Sequence, residues 1–460
     1  SSASSASMSG GKESWAGSVT LPGDAGTLDY TVTIEPGADG WTGTIDIPAQ
    51  GAIGVELADV VRTDSELAFR IDQAGADFSH ALTGDEGSGK LEQSGMTMAG
   101  SVRRLQGEEA KQAAEGPNRP QKPEGPFPYQ QWEVTYKNPK DGTRLAGTLT
   151  VPEGKGPFPA AVLITGSGPQ DRNESLMGHE PFHVIADHLS RRGIAVLRSD
   201  DRGVGESQGD FSAATTHDFV GDARGAIKFL RTLKTIDSKR IGVIGHSEGG
   251  LIAPFVAEKE RKLAFAVLLA GTGVPGDEIL YEQVGAILRA SGADEADVKK
   301  SQAAQREVMD ALTRGVPEDE LRKQIRALIK TQVQGLADDQ IDEMVDAQVG
   351  TVTSPWFRTF LELDPRPALR RTRCPVLALN GSLDVQVLPD QNLPEIEKAL
   401  RAGGNRDITI RELPGLNHLF QHATTGGMEE YAVIEETFAP EALEAMTTWI
   451  QDRMGVRAQG

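Results

Sequence analysis

The stretch Ile241-Gly242-Val243-Ile244-Gly245-His246-Ser247-Glu248-Gly249-Gly250-Leu251-Ile252-Ala253 decides how this chain reads. A short apolar run enters a serine flanked by glycines, and a second apolar run leaves it. Continuous apolar runs of this kind suit strands covered on both faces, as in parallel sheets. Gly245 to Gly249 fit G-x-S-x-G, in which the serine sits on a sharp strand-to-helix turn. With 52 glycines in the chain, the pattern alone is weak. A second match, Gly205-Glu206-Ser207-Gln208-Gly209, shows why. Ser207 has no strand immediately before it and no helix immediately after it. Ser247 is therefore the candidate nucleophile, and Ser207 belongs to a structural loop. Arg202, in the same glycine-rich loop, is expected in a structural salt bridge.

Outward from Ser247 the pattern alternates. Strands are expected at 132–136, 145–151, 160–165, 194–198, 240–244, 263–270, 376–380 and 408–413. Helices are expected at 181–192, 217–234, 249–258, 392–402 and 440–454. This alternation predicts an α/β fold around a mostly parallel sheet. Residues 276–350 break it with three or four helical patterns and no strand. That insertion is too long for an ordinary connection and reads as a cap over a site.

A serine hydroxyl needs a base. In such a fold the acid and then the histidine follow the nucleophile. Only His418 and His422 lie downstream of Ser247. His418 stands just beyond the last expected strand, where a loop can carry its imidazole over the carboxyl ends of the strands. His422 reads as a hydrogen-bonded neighbour. Asp384 lies three residues past Gly381, in a turn that ends a strand, and suits the orienting acid. Asp390 is the competitor. Two amides should face the developing oxyanion. One belongs to Glu248, and the other to Ser167 or, second, Gly168, in the loop after the strand at 160–165. A rival motif, His179-Glu180-Pro181-Phe182-His183, fits the zinc-peptidase pattern H-E-x-x-H. Pro181 suits the first position of a helix, which leaves His179 outside it. Zinc chemistry is not assigned, and no cofactor is expected.

The 460 residues divide into a flexible tether (1–12), a β-rich domain (13–105), a proline-rich linker (106–128) and the α/β domain (129–460). The β-rich domain alternates polar and apolar residues between frequent turns, which predicts a small sandwich or barrel. Trp15, Tyr30 and Trp41 read as its core, and His80 as a surface residue. A net charge of −20 argues against a broad nucleic-acid surface and against attraction to anionic lipid. No apolar run is long enough to span a membrane. The single cysteine, Cys374, reads as a small core residue. The chain starts without Met on a Ser/Ala stretch. Export after removal of a signal is one reading of that start, and a trimmed start is the other. The sequence leaves the oligomeric state open, a homodimer included.

The matching pieces are Gly166-Ser167-Gly168-Pro169, Asp201 to Ser207, Gly245 to Gly250, Asn380 to Asp384 and Leu416-Asn417-His418. In this order they resemble the α/β-hydrolase superfamily over residues 130–455. The chain is most similar to bacterial serine carboxylesterases with a β-rich N-terminal domain. Members of that group are also described as dipeptidyl or acylaminoacyl peptidases of the prolyl-oligopeptidase type. Trp356-Phe357 and Asn417 to Gln421 add to the likeness. The resemblance implies hydrolysis of a small-molecule ester with a short acyl chain, without a metal. Serine aminopeptidase or acylaminoacyl peptidase, and thioesterase, are the alternatives.

Overall fold

The computed structural model describes residues 11–21, 27–38, 40–50, 52–93, 96–333 and 337–456. They form two compact units. The first holds the chain up to Pro120 together with Leu176–His179 and Met428–Glu435, and the second holds the rest. Most of the expected tether, and the turn Pro22-Gly23-Asp24, lie outside the described residues.

The first unit is one antiparallel sheet. Its strands are β1 (Glu13–Thr20), β2 (Thr27–Gly37), β3 (Gly40–Ile47), β4 (Ala52–Glu56), β5 (Ala58–Thr63), β6 (Glu66–Ile71), β7 (Ala76–Thr83), β8 (Glu86–Gln93) and β9 (Met96–Arg104). They lie in the order β4-β3-β2-β1-β9-β8-β7-β6-β5. The sheet curls until β5 packs against β3, with Leu57 N donating to Gly43 O at 2.9 Å. Alternation chooses the inward face. Tyr30, Val32 and Ile34 on β2 are buried, as are Leu67, Phe69 and Ile71 on β6 and Phe78 and Leu82 on β7. Trp15 is fully buried and Trp41 packs partly buried against the same core. His80 corrects the expectation of a surface histidine, because it shares the inward register of Phe78 and Leu82 and is 1% exposed. Its Nε2 lies 3.0 Å from Tyr30 Oη, which gives that buried nitrogen a partner. Burial lowers its pKa.

Residues 107–115, placed within a linker by the sequence reading, form helix α1 (Gly107–Glu115). Its Ala, Glu, Lys and Gln content favours a helix. Lys12 Nζ and Thr33 Oγ1 donate to the carbonyls of Ala114 and Ala113 near its end. Beyond it, Arg119 donates to the carbonyls of Met177, Ala432 and Ile434, and so gathers the two outlying segments of this unit.

The second unit carries an eight-stranded sheet. Its strands are β10 (Tyr129–Lys137), β11 (Arg144–Pro152), β12 (Phe158–Ile164), β13 (Ala195–Ser199), β14 (Ile236–His246), β15 (Ala266–Leu269), β16 (Val376–Gly381) and β17 (Ile408–Leu413). The order is β10-β11-β13-β12-β14-β15-β16-β17. The last six positions run parallel, and β10 and β11 form an antiparallel edge. The helices are α2 (Pro181–Ser190), α3 (Thr216–Leu230), α4 (Glu248–Lys259), an inserted group described below, α11 (Pro389–Ala402) and α12 (Pro440–Met454). On β12, Ala160, Val162 and Ile164 face a core shared with α3, α4 and α11, while Ala161 and Leu163 face one shared with α2 and α12. Both faces are thus covered, which is why the strands read as unbroken apolar runs. Strand order reverses between β12 and β14, and such a switch point opens a crevice at the carboxyl ends of the strands.

The inserted helices are α5 (Gly276–Ala290), α6 (Glu295–Arg314), α7 (Glu318–Gln332), α8 (Asp338–Thr353), α9 (Pro355–Glu362) and α10 (Arg366–Arg371). They lie between β15 and β16, so helical structure runs well past residue 350. Val308, Ile325, Leu328, Ile341, Val345, Val349 and Phe357 give the group its own core. The whole is an α/β-hydrolase fold with a helical insertion, preceded by a small all-β domain. Among the described residues no helix is long and apolar enough to cross a membrane.

Candidate active site

Ser247 stands between the end of β14 and the start of α4, with φ 54° and ψ −114°. Left-handed φ in a residue with a Cβ costs roughly 1–2 kcal/mol, and here it lifts the side chain off the turn. The flanking glycines make the turn possible by close approach. A Cβ on Gly249 would lie 2.0 Å from Ile164 O, and one on Gly245 would lie 2.0 Å from Gly249 O. Ser247 N donates to Leu269 O at 2.8 Å, which ties the turn to β15.

His418 Nδ1 lies 2.8 Å from Asp384 Oδ2, and both side chains are buried. Asp384 follows β16 and His418 follows β17, so two adjacent strands deliver the pair to one edge of the sheet. The other oxygen of Asp384 accepts the amides of Gln386 and Val387, each at 2.8 Å, which fixes the carboxylate. The His418 loop is held by Asn417, whose Oδ1 accepts Leu419 N and Gln421 N. Asp390 lies exposed on α11.

The loop after β12 runs beside Ser247: a Cβ on Gly166 would sit 3.4 Å from Ser247 Cβ. Gly166 N donates to Glu174 Oε1 at 2.6 Å. Ser167 is exposed and Gly168 has φ 96°. Among the described residues, the amides of Ser167 and Gly168 meet no protein acceptor. Glu248 N, at the first position of α4, is one of the amides a helix leaves unpaired. The Glu248 side chain turns elsewhere. Its Oε1 accepts Thr216 Oγ1 at 2.7 Å and Trp356 Nε1 at 2.8 Å, and burial raises its pKa. Trp356 belongs to α9, so the insertion is bonded to the residue after Ser247.

A family model matches residues 141–413, that of the X-Pro dipeptidyl-peptidases of the S15 family. The chain belongs to this family. The S15 match takes in Ser247 and Asp384 and stops short of His418. Esterase EstD of Thermotoga maritima is 30% identical over 277 residues, 60% of this chain. The matched region spans 58% of that relative's own length. Among solved structures, the esterase Pf2001 of Pyrococcus furiosus is similar at 15% identity and TM-score 0.43, over 71% of this chain and 94% of its own. The α/β hydrolase GrgF from Penicillium sp. sh18 is similar at 15% identity and TM-score 0.44, over 71% and 99%.

In this S15-family chain the remaining sequence candidates have structural partners. Ser207 Oγ donates to Asp200 O and accepts Ala146 N. Arg202 forks onto both oxygens of Asp222. His422 bridges Glu436 and Glu441, which raise its pKa. Pro181 is the first residue of α2, so His179 and His183 do not share a helix face. One neighbour of the site, Glu174, was absent from the sequence reading, and the contacts of His246 and Asp201 were not foreseen. His246 Nδ1 lies 3.1 Å from Glu174 Oε1, and its Nε2 lies 3.0 Å from His418 O. Burial pulls the pKa of His246 down, but Glu174, the His418 carbonyl and Asp384 outweigh it and leave it raised. Nothing in the local pattern marks these contacts, since each joins separate loops.

Asp201 holds the loop after β12 by accepting Thr165 Oγ1 at 2.7 Å and Gln170 N at 3.0 Å. Burial pushes its carboxyl up to about 8, although both hydrogen bonds pull the other way. The folded state therefore holds this proton more tightly than the unfolded state, whose carboxyl titrates near the ordinary aspartate value of 3.8. The stability it contributes is complete below that pH and is lost as pH rises through about 8. Asp201→Asn copies the protonated form: its amide can donate to Thr165 Oγ1 while its oxygen accepts Gln170 N. The variant should match the stability of wild type near pH 4 and exceed it by about 2–4 kcal/mol at pH 9. Urea unfolding across that range checks this, and parallel wild-type and variant curves would refute it.

Proposed function

We propose that this chain hydrolyses short-chain carboxylic esters through an acyl-enzyme. The observation that carries the reading is the buried contact of Asp384 with His418, at the sheet edge where Ser247 holds its left-handed turn. Ser247 Oγ attacks the ester carbonyl, and His418 takes its proton. Asp384 fixes the tautomer that leaves Nε2 free to do so and stabilises the imidazolium that forms. The amides of Glu248 and of Ser167 or Gly168 receive the oxyanion. His418 then returns the proton to the leaving alcohol. Water, deprotonated by His418, releases the acid and restores Ser247. The helical insertion acts as a cap that sets acyl-chain size, which the Trp356 to Glu248 contact supports. The reading calls for no metal or cofactor.

The family match favours a second reading, cleavage of a dipeptide from a peptide's amino terminus. It uses the same three side chains and adds a requirement for a group that binds the free amine. A rate panel separates the two: p-nitrophenyl esters from acetate to laurate, beside an X-Pro p-nitroanilide. The ester reading expects the short esters to exceed laurate and anilide in kcat/KM by at least roughly tenfold. Preferred cleavage of the anilide would replace it with the peptidase reading.

A further inference from the structure

The proposed mechanism leaves two buried ionisable side chains beside the nucleophile without a task, Glu174 and His246. Glu174 stands in the loop after β12 with φ 54°, a left-handed backbone that glutamate rarely adopts. The turn is pinned from below, since Asp171 O accepts Glu174 N and the Asp171 carboxylate accepts Asn173 N and Ser175 N. This strained turn delivers one oxygen, Oε1, to two donors at once. They are Gly166 N at 2.6 Å and His246 Nδ1 at 3.1 Å. The second nitrogen of His246 faces the carbonyl of His418 at 3.0 Å. A carboxylate and a carbonyl only accept, so an imidazole that satisfies both must carry both protons. The imidazolium so formed lies with its ring centroid 5.0 Å from that of His418.

We propose that Glu174 and His246 are a positioning pair, carboxylate to imidazolium, that locks the oxyanion loop, the nucleophile turn and the loop of the base into one arrangement. The connection is continuous: Gly166 amide, Glu174, His246, His418 carbonyl. It joins the three loops that the proposed chemistry needs in register, and the proposal rests on the serine-hydrolase reading in that respect. The groups facing His246 are Glu174 from the loop after β12, Asp384 from the loop after β16 and His418 from the loop after β17. Leu269 of β15 and Phe420 supply apolar contact.

The test has two independent arms. In the kinetic arm, His246→Gln and Glu174→Gln should each lower kcat on p-nitrophenyl acetate by about 100-fold with KM little changed. The double variant should fall no further than the worse single one, because one connection is broken in each case. A merely structural role would lower the melting temperature and leave kcat per titrated active site unmoved. That result would overturn the proposal.

The other arm needs no activity and no variant of the pair. Histidine-selective 15N NMR of the wild-type chain at pH 7, with His246 assigned by elimination through variants of the other histidines, should show both ring nitrogens protonated. A neutral His246 would overturn the proposal even if the kinetic variants failed to fold. An inactive wild type, or a fully active Ser247→Ala variant, would instead overturn the hydrolase reading. The NMR result would still decide the pair.

Discussion

Ser247→Ala should lower kcat for p-nitrophenyl acetate by about 10⁵- to 10⁶-fold, the loss expected when the nucleophile of a serine hydrolase is removed. The expectation is this large because the residual path lacks the covalent step altogether. Alanine keeps the Cβ and the backbone bond from residue 247 to Leu269 O. It also inherits the same left-handed φ, so the turn gains and loses nothing. Stability should therefore stay within about 0.5 kcal/mol of wild type. Steady-state rates beside a urea melt check both halves. A folded variant that keeps more than about a thousandth of the wild-type rate would place the nucleophile elsewhere.

Asp384→Asn should cost about 10⁴-fold in kcat with the fold retained. The asparagine oxygen can still accept the amides of Gln386 and Val387, so the turn after β16 survives. Its amide group then faces His418 Nδ1 as a donor. The imidazole must turn that nitrogen into an acceptor and carry its proton on Nε2, where the serine proton should go. The loss should appear in kcat across the pH range, with KM changed little. Rates within tenfold of wild type would show that the 2.8 Å contact orients nothing the reaction needs.

The parts legible in the sequence are those whose physics is local. The strand, turn and helix around Ser247 sit within a dozen residues, and each glycine there answers a clash that the structure displays. Strands buried on both faces read as Ala161-Val162-Leu163-Ile164 and Ile241-Gly242-Val243-Ile244, so the parallel sheet could be drawn with its boundaries nearly right. Asp384 and His418 could be picked out as candidates because each follows a strand by a short loop. Their meeting depends on β16 and β17 being neighbours, which the strand pattern alone does not state. Contacts between distant loops were not legible. Glu174 reaches His246 across 72 positions from an irregular segment with no period to betray it. His80 misled because a histidine reads as polar, whereas its register in β7 and the Tyr30 hydroxyl bring it inside. The segment of helix α1 reads together with the prolines that follow it, although its own composition favours a helix.

The most direct measurement is the site of covalent capture by a p-nitrophenyl phosphonate that mimics a short-chain ester. The intact chain should gain one phosphonyl group, with p-nitrophenol released in equal amount. Peptide mass spectrometry should place that group on Ser247, and loss of ester hydrolysis should track its occupancy. Capture on another serine, such as Ser207, or unimpaired ester hydrolysis by a chain fully labelled at Ser247, would contradict the account.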